Sequence, residues 1–338
     1  MRSVIVKLII VVLGVLGVLR WANARGASEG APTAGADLVP FSEADKYGFK
    51  DAKGNIVVKP NYDDVRRFSH GLAAVNLGAK YDYAMNVMNP MIKRGGKWGF
   101  IDVKGKVIVP ITLEYVWDFS DGLVRVCDER GTRYLDPAGK VVVDLGQVSS
   151  PSDFSEGLAA VQEDQTQAGK RWVTKYIDKN GRTVMVVPGT ADAFHDGMAL
   201  LAVYQAKPDP TISIGHSLYG YIDRTGKVVI PPRFAVACAF HEGLAAVQAK
   251  NTGVQDKENS WGYIDKSGRF VIEPRFNDAR EFRNGVAQVH VGGILRTYPD
   301  TVPFWEGGQW QSIDRTGKVL AHDGPREQTP IFEEKPLP

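Results

Sequence analysis

One pattern recurs about six times along the chain: W-G-[F/Y]-I-D-x-x-G-K-V-V-I-x-P, a short polar stretch, then F-x-x-G-L-A-x-V. Its clearest copies are Trp98–Pro110 with Phe119–Val126, Tyr219–Pro232 with Phe240–Val247, and Trp261–Pro274 with Phe282–Val289. A period of roughly 40 residues limits the fold to a stacked array, because a unit this small cannot bury its own apolar face.

The first half of the unit reads as a β-hairpin. Period-2 alternation places Trp261, Tyr263 and Asp265 on one face of a strand. A D-x-x-G turn follows, with Asp accepting a nearby backbone N–H and Gly supplying the left-handed residue of a bulged turn. It recurs at Asp51–Gly54, Asp102–Gly105, Asp136–Gly139, Asp178–Gly181, Asp223–Gly226, Asp265–Gly268 and Asp314–Gly317. A β-branched second strand should then stop at Pro60, Pro110, Pro188, Pro232 or Pro274, since proline gives no N–H to a ladder. The polar stretch fits one turn of helix or an irregular corner. Glycines at 71, 122, 157, 197, 243 and 285 open the third strand, whose alanines imply close neighbours. The predicted fold class is all-β: tandem repeats of about three short antiparallel strands, stacked as an open or superhelical array. The alternative is a closed propeller-like ring. An extra hairpin at Trp310–Leu320 either caps the array or closes it.

The pattern resembles the WG-repeat (KWG-repeat) family of bacterial proteins. Lys97-Trp98-Gly99-Phe100-Ile101-Asp102, Tyr219-Gly220-Tyr221-Ile222-Asp223 and Trp261-Gly262-Tyr263-Ile264-Asp265 carry the resemblance, with their G-L-A-x-V partners, over residues 47–320. Thr132–Asp136 and Thr174–Asp178 lack Trp-Gly, so the middle of the array should pack differently. The resemblance implies an all-β repeat protein, often exported, and brings no common enzymatic activity or cofactor.

The N-terminus reads as a signal peptide over residues 1–24. Arg2 and Lys7 precede twelve apolar or glycine residues, Leu8 to Leu19, and Ala22-Asn23-Ala24 supplies an A-x-A cleavage site after Ala24. An uncleaved N-terminal membrane anchor is the alternative. Removing residues 1–24 takes away three bases and no acid, leaving 38 basic against 39 acidic residues. That balance gives no basic footprint for nucleic acid. Residues 25–40 read as a flexible leader, 41–323 as the repeat domain of six full repeats plus a hairpin, and 324–338 as a disordered tail. Cys127 and Cys238 occupy different places in the repeat, and an oxidising compartment would permit a bridge without requiring one.

The repeated residues fit turn and packing chemistry better than catalysis. The seven aspartates have no calcium-loop pattern around them, and the sequence holds no G-x-S-x-G, P-loop or dinucleotide fingerprint. His70, His195 and His241 lack metal-ligand spacing and read as solvated corner residues. Tyr47, Trp98, Tyr219, Trp261 and Trp310 read as inter-unit packing rather than a ligand ladder. Length varies mainly at one junction, in the inserts Asn76–Gly96, Gln162–Thr174, Tyr204–Leu218, Gln248–Ser260 and His290–Gln309. Such inserts often form the binding face of a repeat array. Candidate ligand-contact residues are Tyr81, Tyr83, Met85, Met88, Trp172, Tyr298, Phe304 and Trp305, aromatic and methionine side chains of the kind that bind partners. The expected function is an exported, non-catalytic scaffold for a protein or cell-envelope ligand. The alternatives are an envelope polysaccharide hydrolase, for which Glu114, Glu163 and Glu306 are the first acids to inspect, and a spacer without a specific ligand.

Overall fold

The structure is a computed structural model and describes residues 37–81, 93–148, 151–164, 172–204, 217–249, 261–296 and 304–323. Strands in these residues form seven small antiparallel sheets and one two-stranded ribbon. A full sheet is a meander of strands a, b, c and d. Sheet 2 has Asp64–Val65, Leu72–Tyr81, Lys93–Asp102 and Val107–Leu113; sheet 3 has Tyr115–Ser120, Leu123–Asp128, Gly131–Leu135 and Val141–Gly146. Sheet 5 comprises Thr190–His195, Met198–Tyr204, Ser217–Asp223 and Val228–Phe234; sheet 6 comprises Val236–Ala237, Ala245–Gln248, Trp261–Ile264 and Phe270–Phe276. Sheet 7 comprises Asp278–Ala279, Val286–Val291, Gln309–Asp314 and Val319–Asp323. Sheets 1 and 4 have strands b to d only: Val39–Glu43, Lys46–Lys50 and Ile56–Tyr62, and Ala159–Glu163, Val173–Ile177 and Thr183–Pro188.

Three local expectations change. Each sheet crosses the sequence repeat: the G-L-A-x-V strand is strand b and pairs with the W-G-x-I-D strand of the next unit, as in Leu72↔Asp102 and Ala245↔Ile264. Among the described residues, the polar stretch before the Phe holds no turn of helix; in five sheets part of it pairs with strand b, as in Ala237↔Val247, and the rest is irregular, as is all of it before Phe154. The glycines said to open strand b instead complete two-residue turns. Asp121, Glu156, Asp196, Glu242 and Asn284 have φ of 52–53°, and each is followed by a positive-φ glycine. That is the type I′ geometry whose twist matches antiparallel strands.

Of the prolines expected to end strand d, Pro188 does so in sheet 4 and the other four do not. Pro60, Pro110, Pro232 and Pro274 lie within it, at a bulge on an edge strand where a missing N–H breaks no ladder. Trp98 pairs with Leu113 and Phe100 with Val109, so four residue steps on strand d oppose two on strand c. The same bulge recurs opposite Tyr47–Phe49, Tyr219–Tyr221 and Trp261–Tyr263. It explains the motif glycine. A Cβ on Gly48, Gly99, Gly220 or Gly262 would lie 2.3, 2.6, 2.3 or 2.6 Å from a strand d carbonyl oxygen. Where the pairing runs one to one, a large side chain takes that place: Lys175↔Val186 and Gln311↔His322. At Arg133 only a one-residue shift remains.

The D-x-x-G turns are built by the aspartate. Its Oδ1 accepts the N–H groups two and four residues on, at 2.9 and 2.8 Å for Asp51 and 2.9 and 3.0 Å for Asp314. Hydrogen bonding from the hydroxyls of Thr225, Ser267 and Thr316 leads the causes that hold Asp223, Asp265 and Asp314 below the usual carboxylate range. The turn glycines, from Gly54 to Gly317, have φ of 76–85°.

Six hydrophobic clusters each join one sheet to the next, from sheets 1 and 2 to sheets 6 and 7. At every joint the aromatic of W-G-[F/Y] meets the Phe of the following F-x-x-G: Phe49–Phe68, Phe100–Phe119, Tyr134–Phe154, Tyr176–Phe194, Tyr221–Phe240 and Tyr263–Phe282, with ring centroids 4.7–6.2 Å apart. Where this aromatic is Tyr, its hydroxyl donates to a backbone carbonyl of the next sheet, at 2.6 Å for Asp192, 2.7 Å for Cys238 and 2.7 Å for Arg280. Burial drives these phenols well above their ordinary pKa.

The array is open among the described residues. In sheets 2 to 7 a Cβ added to the D-x-x-G glycine would touch strand d of the preceding sheet, whereas on Gly54 of sheet 1 it would meet nothing within 4 Å. Sheet 7 carries half-buried Ser312 where the others carry the buried aromatic, and exposed Ala321 where they carry a buried Val or Ile or, in sheet 4, the half-buried Met185. Polar or small residues at the terminal unit are the mark of a cap.

Gly262→Ala should cost about 2 kcal/mol of unfolding free energy by overpacking, whereas Lys175→Ala, at the equivalent position of sheet 4, should cost below ~1 kcal/mol. Denaturant titration of both variants checks this. Tyr263→Phe should cost about 1 kcal/mol by stripping the Arg280 carbonyl of its donor; an unchanged midpoint would remove that hydrogen bond from the account.

Candidate binding rim

In a meander, successive turns alternate between the two ends of the sheet. The a–b and c–d turns therefore share one end and the b–c connections leave from the other. At the turn end the sheets are tied in register. Asp121 accepts the N–H of Gly157 (2.6 Å), Glu156 that of Gly197 (3.0 Å), Asp196 that of Gly243 (2.6 Å) and Glu242 that of Gly285 (2.9 Å). Cationic c–d turn residues join the same ladder: Lys179 pairs with Asp121 and Arg224 with Glu156, both at 3.0 Å. With the turn ends aligned, the strand ends that lead into the inserts align along the opposite rim.

Sheets 1 and 3 close on that rim with tight turns at Ala44–Asp45 and Glu129–Arg130. Sheets 2 and 7 extend from it as two-stranded ribbons. In sheet 2, Ala79↔Gly95, Lys80↔Arg94 and Tyr81↔Lys93 continue the ladder beyond a break between Gly78 and Gly96, whose φ values are 89° and 70°. In sheet 7, Ile294–Arg296 pairs with Phe304–Glu306 beyond Gly292, Gly293, Gly307 and Gly308, with φ of 73–83°. One acceptor fixes each bend from the same place, just before strand a. Asp63 Oδ2 accepts the Gly78 N–H and Asn277 Oδ1 the Gly292 N–H, each at 2.7 Å. Lys46 holds the other Asp63 oxygen at 2.6 Å. The equivalent residues in sheets 3 and 6 are Glu114 and Ala235, and among the described residues neither sheet carries a ribbon. Sequence reading missed this device. Its signal is an Asp or Asn before strand a together with the glycine that ends the b core.

Tyr81 ends the sheet 2 ribbon strand, and Phe304 and Trp305 lie on the sheet 7 ribbon opposite Arg296 and Leu295. Trp172 is half-buried where sheet 4 meets the rim, and its carbonyl accepts the Gly189 N–H at 2.8 Å. Tyr83, Met85, Met88, Tyr298 and Ala24 lie outside the described residues. Glu114 and Glu306 are exposed and Glu163 is half-buried; Glu114 pairs with Lys97 at 3.3 Å and Glu163 with Lys175 at 2.6 Å. Cys127 and Cys238, on sheet 3 and beside sheet 6, are not joined in a disulfide. The corner histidines differ from expectation: His70 stacks on Phe119, and the rings of His195 and His241 meet at 5.1 Å, tilted by 37°.

A row of charged residues follows the strand a edges. Arg66 bridges to Asp118 of sheet 3 at 3.0 Å, and Arg125 to Asp153 beside sheet 4 at 2.7 Å while lying over the Trp117 ring at 3.9 Å. Burial raises the Asp153 pKa, against the opposing pull of Arg125. In sheet 5 the row continues as Asp192, which has no cationic partner among the described residues; burial alone raises it. Among the described residues, no helix is long and apolar enough to cross a membrane, which bears on helical spans alone.

The family model for the WG-containing repeat matches residues 47–81, 98–129, 133–166, 219–252 and 261–293. The chain belongs to this family of WG-repeat proteins. The matched segments include the Thr132–Asp136 unit that lacks Trp-Gly and omit the one at Thr174–Asp178. No curated protein sequence matches the chain. A solved structure described as the eukaryotic initiation factor superposes with a TM-score of 0.51 at 10% identity, over 88% of this chain and 77% of that one, a likeness of fold alone. A protein of unknown function from Bacteroides caccae aligns over 70% of this chain and 92% of its own at 15% identity, with a TM-score of 0.28. The AfRom2 CNH domain gives 0.36 at 5% identity, over 78% and 84%.

Asp192 makes a pH prediction. A raised folded-state pKa means the folded chain favours the protonated acid, so this contribution is complete below the ordinary value of 3.8 and fades as pH rises through the raised value. Asp192→Asn should therefore raise the melting temperature at pH 7, with the gain shrinking toward pH 4. Melting curves at both pH values measure it; a loss at pH 7 would show the carboxylate to be stabilising.

Proposed function

We propose that this chain is an exported, non-catalytic scaffold that binds a protein or cell-envelope ligand through the rim from which its b–c connections leave. The observation that carries this reading is the pair of glycine-hinged ribbons in sheets 2 and 7. The same acceptor position holds both bends, and the ribbons project where the repeat contributes nothing to the core. Conserving the sheets while lengthening one rim is how a repeat array acquires a binding face. Aromatic residues on these ribbons, Tyr81, Phe304 and Trp305, suit partner contact, having large area and few rotatable bonds. The apolar run Leu8–Leu19 and the A-x-A site support passage to the periplasm or outside, with an N-terminal anchor as the uncleaved form.

Replacing residues 79–95 by a two-residue turn, as sheet 3 has at Glu129–Arg130, should leave the unfolding free energy within about 1 kcal/mol and abolish capture of the ligand from envelope extracts. Capture at the wild-type level would exclude the sheet 2 ribbon as the site. Mass spectrometry of the exported chain should find Arg25 at its N-terminus; an intact Met1 would refute cleavage.

A further inference from the structure

The residue after each repeat Phe forms a column along the turn end: Ser69, Ser120, Ser155, His195, His241 and Arg283. The serines of sheets 3 and 4 tie one sheet to the next. Ser120 Oγ donates to the Phe154 carbonyl at 2.7 Å, and Ser155 Oγ to the Phe194 carbonyl at 2.5 Å. In sheets 5 and 6 the column changes to imidazoles, and the rings of His195 and His241 lie 5.1 Å apart across the joint.

We propose that the His195–His241 pair makes the joint between sheets 5 and 6 acid-sensitive, so that it holds near neutral pH and loosens when both rings take a proton. Two imidazolium charges at this separation repel, and both rings are half-buried, so water screens them poorly. The acids around the pair are already engaged. Glu156 from sheet 4 accepts the Gly197 N–H and pairs with Arg224 at 3.0 Å. Asp196 accepts the Gly243 N–H. Glu281, just before strand b of sheet 7, is shared: its Oε2 lies 3.4 Å from His241 Nε2 and its Oε1 holds Arg283 at 2.6 Å. The balance at His195 agrees: burial first, then His241, lowers its proton affinity, and Glu156, Glu281 and Asp196 offset this only in part. A folded-state pKa below the ordinary 6.5 means stability is present above that value and is lost as pH falls through it.

The test compares the full chain with His195→Ser, which installs the residue the column uses elsewhere. Between pH 7.5 and 5.0 the wild-type melting temperature should fall by about 2–4 °C more than that of the variant. Equal falls overturn the proposal. The wild type also gives an answer by itself, should the variant not fold. The His195 ring resonance in NMR should titrate below 6.5 and move upward in His241→Ser. A midpoint at or above 6.5 overturns the proposal as well.

Discussion

Everything in this array depends on contact between consecutive sheets. Strand c is buried on both faces, as at Trp261-Gly262-Tyr263-Ile264, so no sheet has an interior of its own. At each joint the aromatic of W-G-[F/Y] reaches the Phe of the next unit. Full burial of such a ring contributes on the order of 2–3 kcal/mol, and the tyrosine hydroxyl adds direction by tying to a carbonyl of the following sheet. Stability is then a sum over joints rather than a property of one core. This is why the last unit can stop the array by changing only a few residues, with Ser312 and Ala321 in place of an aromatic and a branched side chain.

The same contact explains why the Trp-Gly signature survives where it does. The glycine has an ordinary backbone conformation. It is needed because strand d bulges toward it and brings a carbonyl within 2.3–2.6 Å of the place a Cβ would take. Units that lose the bulge lose the glycine, as Lys175 and Gln311 show. The motif thus records a backbone collision in a neighbouring strand, not a site for a ligand.

The two ends of the sheets differ: one carries the tight turns and the other the inserts. The turn end is committed to the ladder of carboxylates and glycine N–H groups, and it carries the histidine pair. The rim end carries length variation and the hinged ribbons. On the proposed reading, a ligand would sit at the rim away from the ladder, and protonation of the histidine pair would act at the ladder end.

The sequence alone determined the β class, the repeat period, the D-x-x-G turns and the place where length varies. Each of these is a local matter of turn chemistry and alternation. It did not find strand a within the polar stretch, took proline as a strand end where four of five lie inside the strand, and placed the unit boundary one strand off. Pairing partners are chosen between units, and no periodicity within a unit reports them. Tyr81, Phe304 and Trp305 were legible as rim aromatics, but their mounting on hinged ribbons was not, since Asp63 and Asn277 lie 15 residues from the glycines they hold. Only the tertiary structure decided that the array stays open and that His195 and His241 meet. Both facts concern surfaces brought together by stacking, 46 residues apart for the histidines, where the chain itself carries no record of contact.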